Sequence, residues 1–244
     1  MQTPVQVDPK ATSLNVKVPP LYEFDNSRLD FKGAQYVDFG VTLGALGIVR
    51  DLTFMIWSKL TDFTATRYLM ASATALGANR VDMLYVFALN SYRIIVTAGA
   101  TVAVDGGTLS NKLTCLTGTY DGANVILYQD DIIVGGPTPL AGNLIAPSGN
   151  LTLGRGGSWA GGYWIGSNYM ALAYNIALSQ SQIQYNLKNP YNPIKNGLVL
   201  WANLEEGAGL VTKCRMGNTG SLLPGGNPPI WRRTKKWELG NLNR

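Results

Sequence analysis

The sequence contains no histidine. That removes the commonest general base, the usual base of a nucleophilic triad and the usual zinc ligand, so chemistry built on imidazole is excluded. Cysteine is nearly as scarce. Cys115 falls in an expected strand and Cys214 in a turn-rich region far from it in the chain, so the two form neither a disulfide framework nor a metal cluster and read as free thiols. No window approaches 18 uncharged apolar residues, and the N-terminus has no basic patch followed by an apolar run. These absences lead to the expectation of a product with no membrane span and no signal peptide. No amphipathic helical period is sustained between residues 52 and 104, which argues against βαβ units.

What is present is strand. With 244 residues, 46% of them hydrophobic, the chain is long enough to bury the core of one large all-β domain without covalent staples. The clearest element spans residues 112–134, where two runs rich in β-branched and aromatic residues alternate with period two around Asp121-Gly122. This predicts a β-hairpin with a tight primed turn at Asp-Gly, Asn124–Tyr128 as the returning strand, and a further turn at Asp130-Asp131. Other strands are expected at 29–33, 35–39, 52–60, 67–72, 81–89, 92–98, 101–104, 151–155, 169–177 and 197–204. In the 52–60 strand, Phe54 and Ile56 share one face while Met55, Trp57 and Lys59 share the other. Residues 179–187 are the one convincing helix: Ser179 is a natural N-cap, Gln182 its capping-box partner, Ile183 and Leu187 lie on one face, and Pro190 stops it. The Pro-rich residues 1–20 read as an extended arm or a frayed terminus, 21–228 as the domain, and 229–244 as a basic, aromatic tail.

The order of these elements resembles the concanavalin-like jelly roll of laminin G-like and pentraxin-like domains. Three stretches carry the resemblance: Leu29-Asp-Phe-Lys-Gly-Ala-Gln-Tyr-Val-Asp-Phe39 leading into Leu52-Thr-Phe-Met-Ile-Trp57, then Leu116–Asp130, then Leu153-Gly-Arg155 through Ile183. Two positions depart from the family pattern, Lys32 where an Asp is usual and Asp131 where a Gly is usual. The resemblance implies an all-β fold, a two-sheet antiparallel jelly-roll sandwich with one short helix. The segment from Gly197 to Trp231 looks like the strand and loop that usually open such a domain, so it is either a permuted strand of the same sandwich or the stub of a second repeat. With Asn189-Pro-Tyr-Asn-Pro193 before it, this pattern resembles repeats of phage and archaeal-virus structural proteins.

Chemistry is sparse. A glycosidase on this fold needs two carboxylates about 5–10 Å apart across a groove. Glu205 and Glu206 are adjacent, point to opposite sides of an extended chain, and read as a solvated turn. Nucleophile-elbow, phosphate-loop and zinc spacings are absent, so the expectation is a non-enzyme without a cofactor. Calcium is the usual ion that the resemblance implies. Asp121, Asp130 and Asp131 are the candidates, but Asp121 is demanded by its turn and the other two lack a third acid nearby, so no metal site is predicted.

The candidate ligand surface is the Gly-rich aromatic loop 156–164 with its neighbour Arg155. Trp159, Tyr163 and Trp164, beside Arg155 and Ser158, either form platforms for a glycan or partner, or pack over an open sheet end or a neighbouring subunit. Trp57 and Trp201 lie within strands and read as core. In the tail, Trp231, Arg232, Arg233, Lys235, Lys236 and Trp237 are candidate partner contacts; a net charge of +5 suits polyanions, yet no base-reading motif supports nucleic acid. The reading that results is a structural and interaction protein on a virion surface, such as a capsid decoration, made in the host cytoplasm. Its expected partners are capsid proteins and further copies of itself, with host glycan attachment besides. The alternative is a lectin-like carbohydrate-binding module with no virion role.

Overall fold

The computed structural model describes residues 27–73, 79–145, 147–156, 162–223 and 229–233. The expected arm over 1–20 lies outside the described residues, as do Ser158, Trp159, Lys235, Lys236 and Trp237. In chain order the first strands are β1 (Ser27–Lys32), β2 (Tyr36–Asp38), β3 (Leu52–Leu60), β4 (Arg67–Ala73), β5 (Arg80–Val86), β6 (Ser91–Ala98), β7 (Ala100–Gly106) and β8 (Thr114–Tyr120). There follow β9 (Asn124–Gln129), β10 (Ile132–Pro139), β11 (Thr152–Leu153), β12 (Ile165–Tyr174), helix α1 (Gln180–Lys188), β13 (Leu198–Ala202), β14 (Val211–Lys213), β15 (Thr219–Leu223) and β16 (Ile230–Arg233).

Among the described residues these strands form two antiparallel sheets of eight, the jelly-roll sandwich expected from the sequence. Sheet 1 runs β10-β9-β8-β3-β12-β1-β16, with β13 also on β12, and sheet 2 runs β14-β15-β2-β11-β4-β5-β6-β7. β12 is the spine of sheet 1. β3 pairs along one side of it, while the other side is shared by β1 at residues 165–168 and β13 at residues 171–174. The strand was expected at 169–177 and instead begins at Ile165, because Gly166, Ser167 and Asn168 are held in the ladder by Leu60, Lys59 and Ser58 despite their low β-propensity. The expected strand 81–89 ends at Val86 in one turn of 3₁₀ helix, closed by Asn90 in the left-handed region.

Period-two alternation sorts the side chains. Phe54, Ile56, Ala171 and Ala173 face the core between the sheets, while Met55, Trp57, Met170, Leu172 and Tyr174 face outward from sheet 1. That outer face is covered by α1, whose Ile183 and Leu187 are buried on it. The capping box is present: Ser179 Oγ accepts from the Gln182 amide and Gln182 Oε1 accepts from the Ser179 amide. Asn186 is buried in the same layer without polar cost, donating to Tyr174 Oη at 2.9 Å and accepting from the Ile194 amide at 2.9 Å.

The hairpin turn differs in one detail from expectation. The closing pair is Asp121 and Asn124, so the two loop residues are Gly122 and Ala123, and it is Gly122, at φ 80°, that takes the left-handed conformation. Asp121 serves as a side-chain acceptor for the amides of Ala123 (2.8 Å) and Asn124 (2.6 Å). Glycine matters again at Gly118 in β8, where a Cβ would overlap Ile94 Cδ1 across the sandwich. Among the described residues no helix is long and apolar enough to cross a membrane.

Candidate functional site

The outward face of sheet 2 is set by register. Ser221, Asp38, Thr152, Ala71, Asp82, Ile95 and Ala103 stand side by side across seven strands. Tyr36 lies two residues along β2 from Asp38 and shares its face, since Val37 between them is buried in the core. The neighbouring rows carry Arg80 and Thr97, and Leu84, Arg93 and Asp105.

Two of the residues singled out in the sequence converge on Tyr36. The Arg155 guanidinium carbon sits 3.9 Å from the centroid of the Tyr36 ring, and the Tyr163 ring lies 6.5 Å from it at an interplanar angle of 37°. All three side chains are half-buried. The Thr152 hydroxyl donates to the Arg155 carbonyl at 3.0 Å, which ties down the turn after β11. Arg67 supports the Tyr163 backbone, donating to its carbonyl at 3.3 Å and to Asp62 at 2.6 Å. Asp62 is held below the usual carboxylate range, first by the Thr64 hydroxyl and amide and then by the Arg67 charge.

Trp164 turns the other way. Adjacent residues of an extended chain point to opposite sides, so with Tyr163 outward Trp164 enters the main core and is fully buried, presenting no ring face to a ligand. Trp57 and Trp201 are buried as well, Trp201 beneath Lys195 at 3.8 Å and Arg215 at 4.8 Å from its ring centroid. An open groove of about 390 Å³ begins two residues along β2 from Tyr36 and is lined by Asp38, Phe39, Gly40, Val41, Gly217, Asn218, Thr219 and Ser221. One Asp38 oxygen accepts from the Gly40 amide at 2.8 Å. The combination is a pair of tyrosine faces, a guanidinium and a groove of hydroxyl, amide and carboxylate groups. It suits a ligand with apolar C–H faces and many hydroxyls.

Tyr36 and Asp38 escaped the sequence reading as site residues. Their signal was the alternation Gln35-Tyr-Val-Asp-Phe39, which marks them as the outward pair of their strand, but nothing in it links them to a loop more than a hundred residues away.

The remaining candidates serve the scaffold. Asp130 Oδ1 accepts from the Cys115 amide at 2.9 Å and the Thr114 hydroxyl at 3.3 Å, and Asp131 accepts from Gln184 at 3.1 Å. Among the described residues no three metal-ligating side chains gather. Glu206 accepts from the Thr212 hydroxyl and the Lys213 amide, and Glu205 lies 3.8 Å from Arg215. Cys115 and Cys214 are free thiols, both buried. Of the expected tail, Ile230–Arg233 pairs with β1 as β16. Trp231 packs against the main core and donates from Nε1 to the Gly209 carbonyl at 2.9 Å. Arg232 lies 3.4 Å from Asp30, and of Arg233 the backbone alone is described.

A family model described as the concanavalin A-like lectin/glucanases superfamily, Laminin_G_3, matches residues 31–184. Several solved structures are similar. A Bacteroides ovatus ATCC 8483 protein, assigned provisionally to carbohydrate binding, superposes at a TM-score of 0.60 with 15% identity over 85% of this chain. This chain spans 62% of that protein's length. The Ruminococcus gnavus IT-sialidase CBM40 gives a TM-score of 0.55 at 12% identity, covering 65% of this chain and 95% of its own. The heptameric SAP-like pentraxin of Limulus polyphemus gives 0.53 at 16% identity, covering 82% and 97%. At such identities the likeness is one of fold. Among curated proteins none matches the sequence.

Proposed function

This chain belongs to the concanavalin A-like lectin/glucanases superfamily, and from that membership we propose that it is a non-enzymatic glycan-binding module whose ligand sits on the outward face of sheet 2 at Tyr36, Arg155 and Tyr163. The superfamily's description spans binding proteins and hydrolases, so the choice between them rests on the side chains. Glu205 and Glu206, the glutamates among the described residues, are engaged in the loop before β14 and in its backbone. The observation that carries the binding reading is Arg155 lying over the Tyr36 ring with Tyr163 alongside, on the strand that leads into the polar groove at Asp38. Tyrosine faces pack against the C–H face of a pyranose, and groove hydroxyls and amides take its hydroxyls. Binding of the full chain to a glycan array, repeated with Tyr36→Ala, tests it. Binding that weakens about tenfold in the variant supports the site; a wild-type chain that binds no glycan removes the proposal.

The virion-surface role, with capsid proteins and further copies of the chain as partners, is the second reading. It is favoured by β16, which among the described residues is an edge strand with one side of its backbone open, and which continues in sequence into a basic segment. Sizing and negative-stain microscopy of the protein alone and with particles test it, and a monomer that never associates rejects it.

A further inference from the structure

The ligand's chemical class can be narrowed, on the premise that the glycan-binding reading holds. Seven arginines with described side chains, Arg28, Arg50, Arg67, Arg80, Arg93, Arg215 and Arg232, each lie within 4.0 Å of a carboxylate. Arg155 is the exception. Among the described residues it pairs with no acid, and its buried Nε has no hydrogen-bond partner. A guanidinium that is half-buried over a tyrosine ring, with its Nε buried and unpartnered, has lost part of its hydration without replacing it. The ring contact leaves the terminal N–H groups for an acceptor, and arginine takes a carboxylate through such groups with two parallel hydrogen bonds.

We propose that Arg155 is the specificity determinant of the site and that the glycan it selects is acidic, carrying a carboxylate that the guanidinium, backed by the Tyr36 ring, holds while Tyr163 packs on the sugar ring. The carboxylate accepts from the terminal N–H groups of Arg155, and the groove that begins at Asp38, two residues along β2 from Tyr36, takes further hydroxyls through Ser221, Thr219 and Asn218.

The test is affinity of the full chain for uronic-acid and sialic-acid oligosaccharides, each paired with its carboxyl-reduced neutral form, and for a sulfated neutral oligosaccharide. The expected result is that at least one acid binds about tenfold or more tightly than its reduced partner, as a charge-assisted bidentate contact implies. That ratio falls close to one in Arg155→Gln and partway in Arg155→Lys, with thermal melts of both variants confirming the fold. Equal affinity for acid and reduced forms overturns this inference and leaves the glycan-binding reading standing. Preference for the sulfated ligand over every carboxylate overturns the carboxylate assignment, and an acid preference that survives both variants overturns the role of Arg155. Absence of binding to the whole panel overturns both readings.

Discussion

Asp82 and Arg80 stand two residues apart on the outward face of β5, and the carboxylate, with no exposed surface, accepts from Arg80 Nε at 2.6 Å. Burial outweighs this partner: it pushes Asp82 up to about 6, against the lowering by Arg80. Tyr68, also pushed up mainly by burial, and the Arg93–Asp105 ion pair complete the charged face around it.

The sign of the pH effect follows. A carboxyl raised in the folded state binds its proton more tightly there than in the unfolded chain, so its contribution to stability is fully present below its ordinary value of 3.8 and is lost as pH rises through about 6. Asp82→Asn lacks this dependence. The unfolding free energy of the wild type minus that of Asp82→Asn, from urea titrations, therefore declines between about pH 4 and pH 7, by at most about 3 kcal/mol for a shift of this size. A difference that stays flat would mean that Asp82 titrates at its ordinary value.

Tyr36 and Trp164 separate binding from folding. Tyr36→Ala removes the ring beneath Arg155 and is expected to lower glycan affinity about tenfold, roughly the worth of a stacked aromatic, with little change in Tm. Trp164→Ala empties a fully buried site and costs about 3–5 kcal/mol in denaturant unfolding. If Trp164→Ala abolished binding while leaving stability intact, the placement of the site would be wrong.

Gly118 and Ile94 form a packing pair between the sheets. Gly118→Ala drives a methyl group into Ile94 Cδ1 and should cost about 1–3 kcal/mol. Ile94→Val removes the clashing carbon, so the double variant should recover much of that loss, and a double-mutant cycle by urea denaturation measures the coupling. Additive effects would mean that the added methyl group is accommodated without pressing on Ile94.

Ser179→Ala deletes one half of the capping box of α1. The expected loss is about 1 kcal/mol by chemical denaturation, with Ser179→Asp recovering most of it because aspartate also accepts at an N-cap. No measurable loss would mean that packing of Ile183 and Leu187 alone holds the helix.

The central strands and the helix were legible because their signals are local. Alternation in 52–60 and 112–120 marked β3 and β8, and Ser179 with Gln182 marked α1. β14 and β15 were hidden among glycines: they exist because β2 offers Val37 and Asp38 as a template for Leu222 and Ser221, a tertiary cause that their own composition does not express. The site was half legible for the same reason. Arg155 and Tyr163 announced themselves through a Gly-rich aromatic loop, whereas Tyr36 becomes their partner only when β2 and β11 pair at Val37 and Leu153.

The pairing of β16 with β1 also sets an order of assembly during synthesis. Leu29 is among the first described residues to leave the ribosome and Trp231 among the last, yet they face each other in one ladder. Sheet 1 stays incomplete until β13 and β16 arrive, and sheet 2 until β14 and β15 reach β2. A nascent chain halted after α1 exposes the strand edges of β1, β2 and the second half of β12, so the domain closes late, through contacts of very high sequence separation, and such topologies fold slowly.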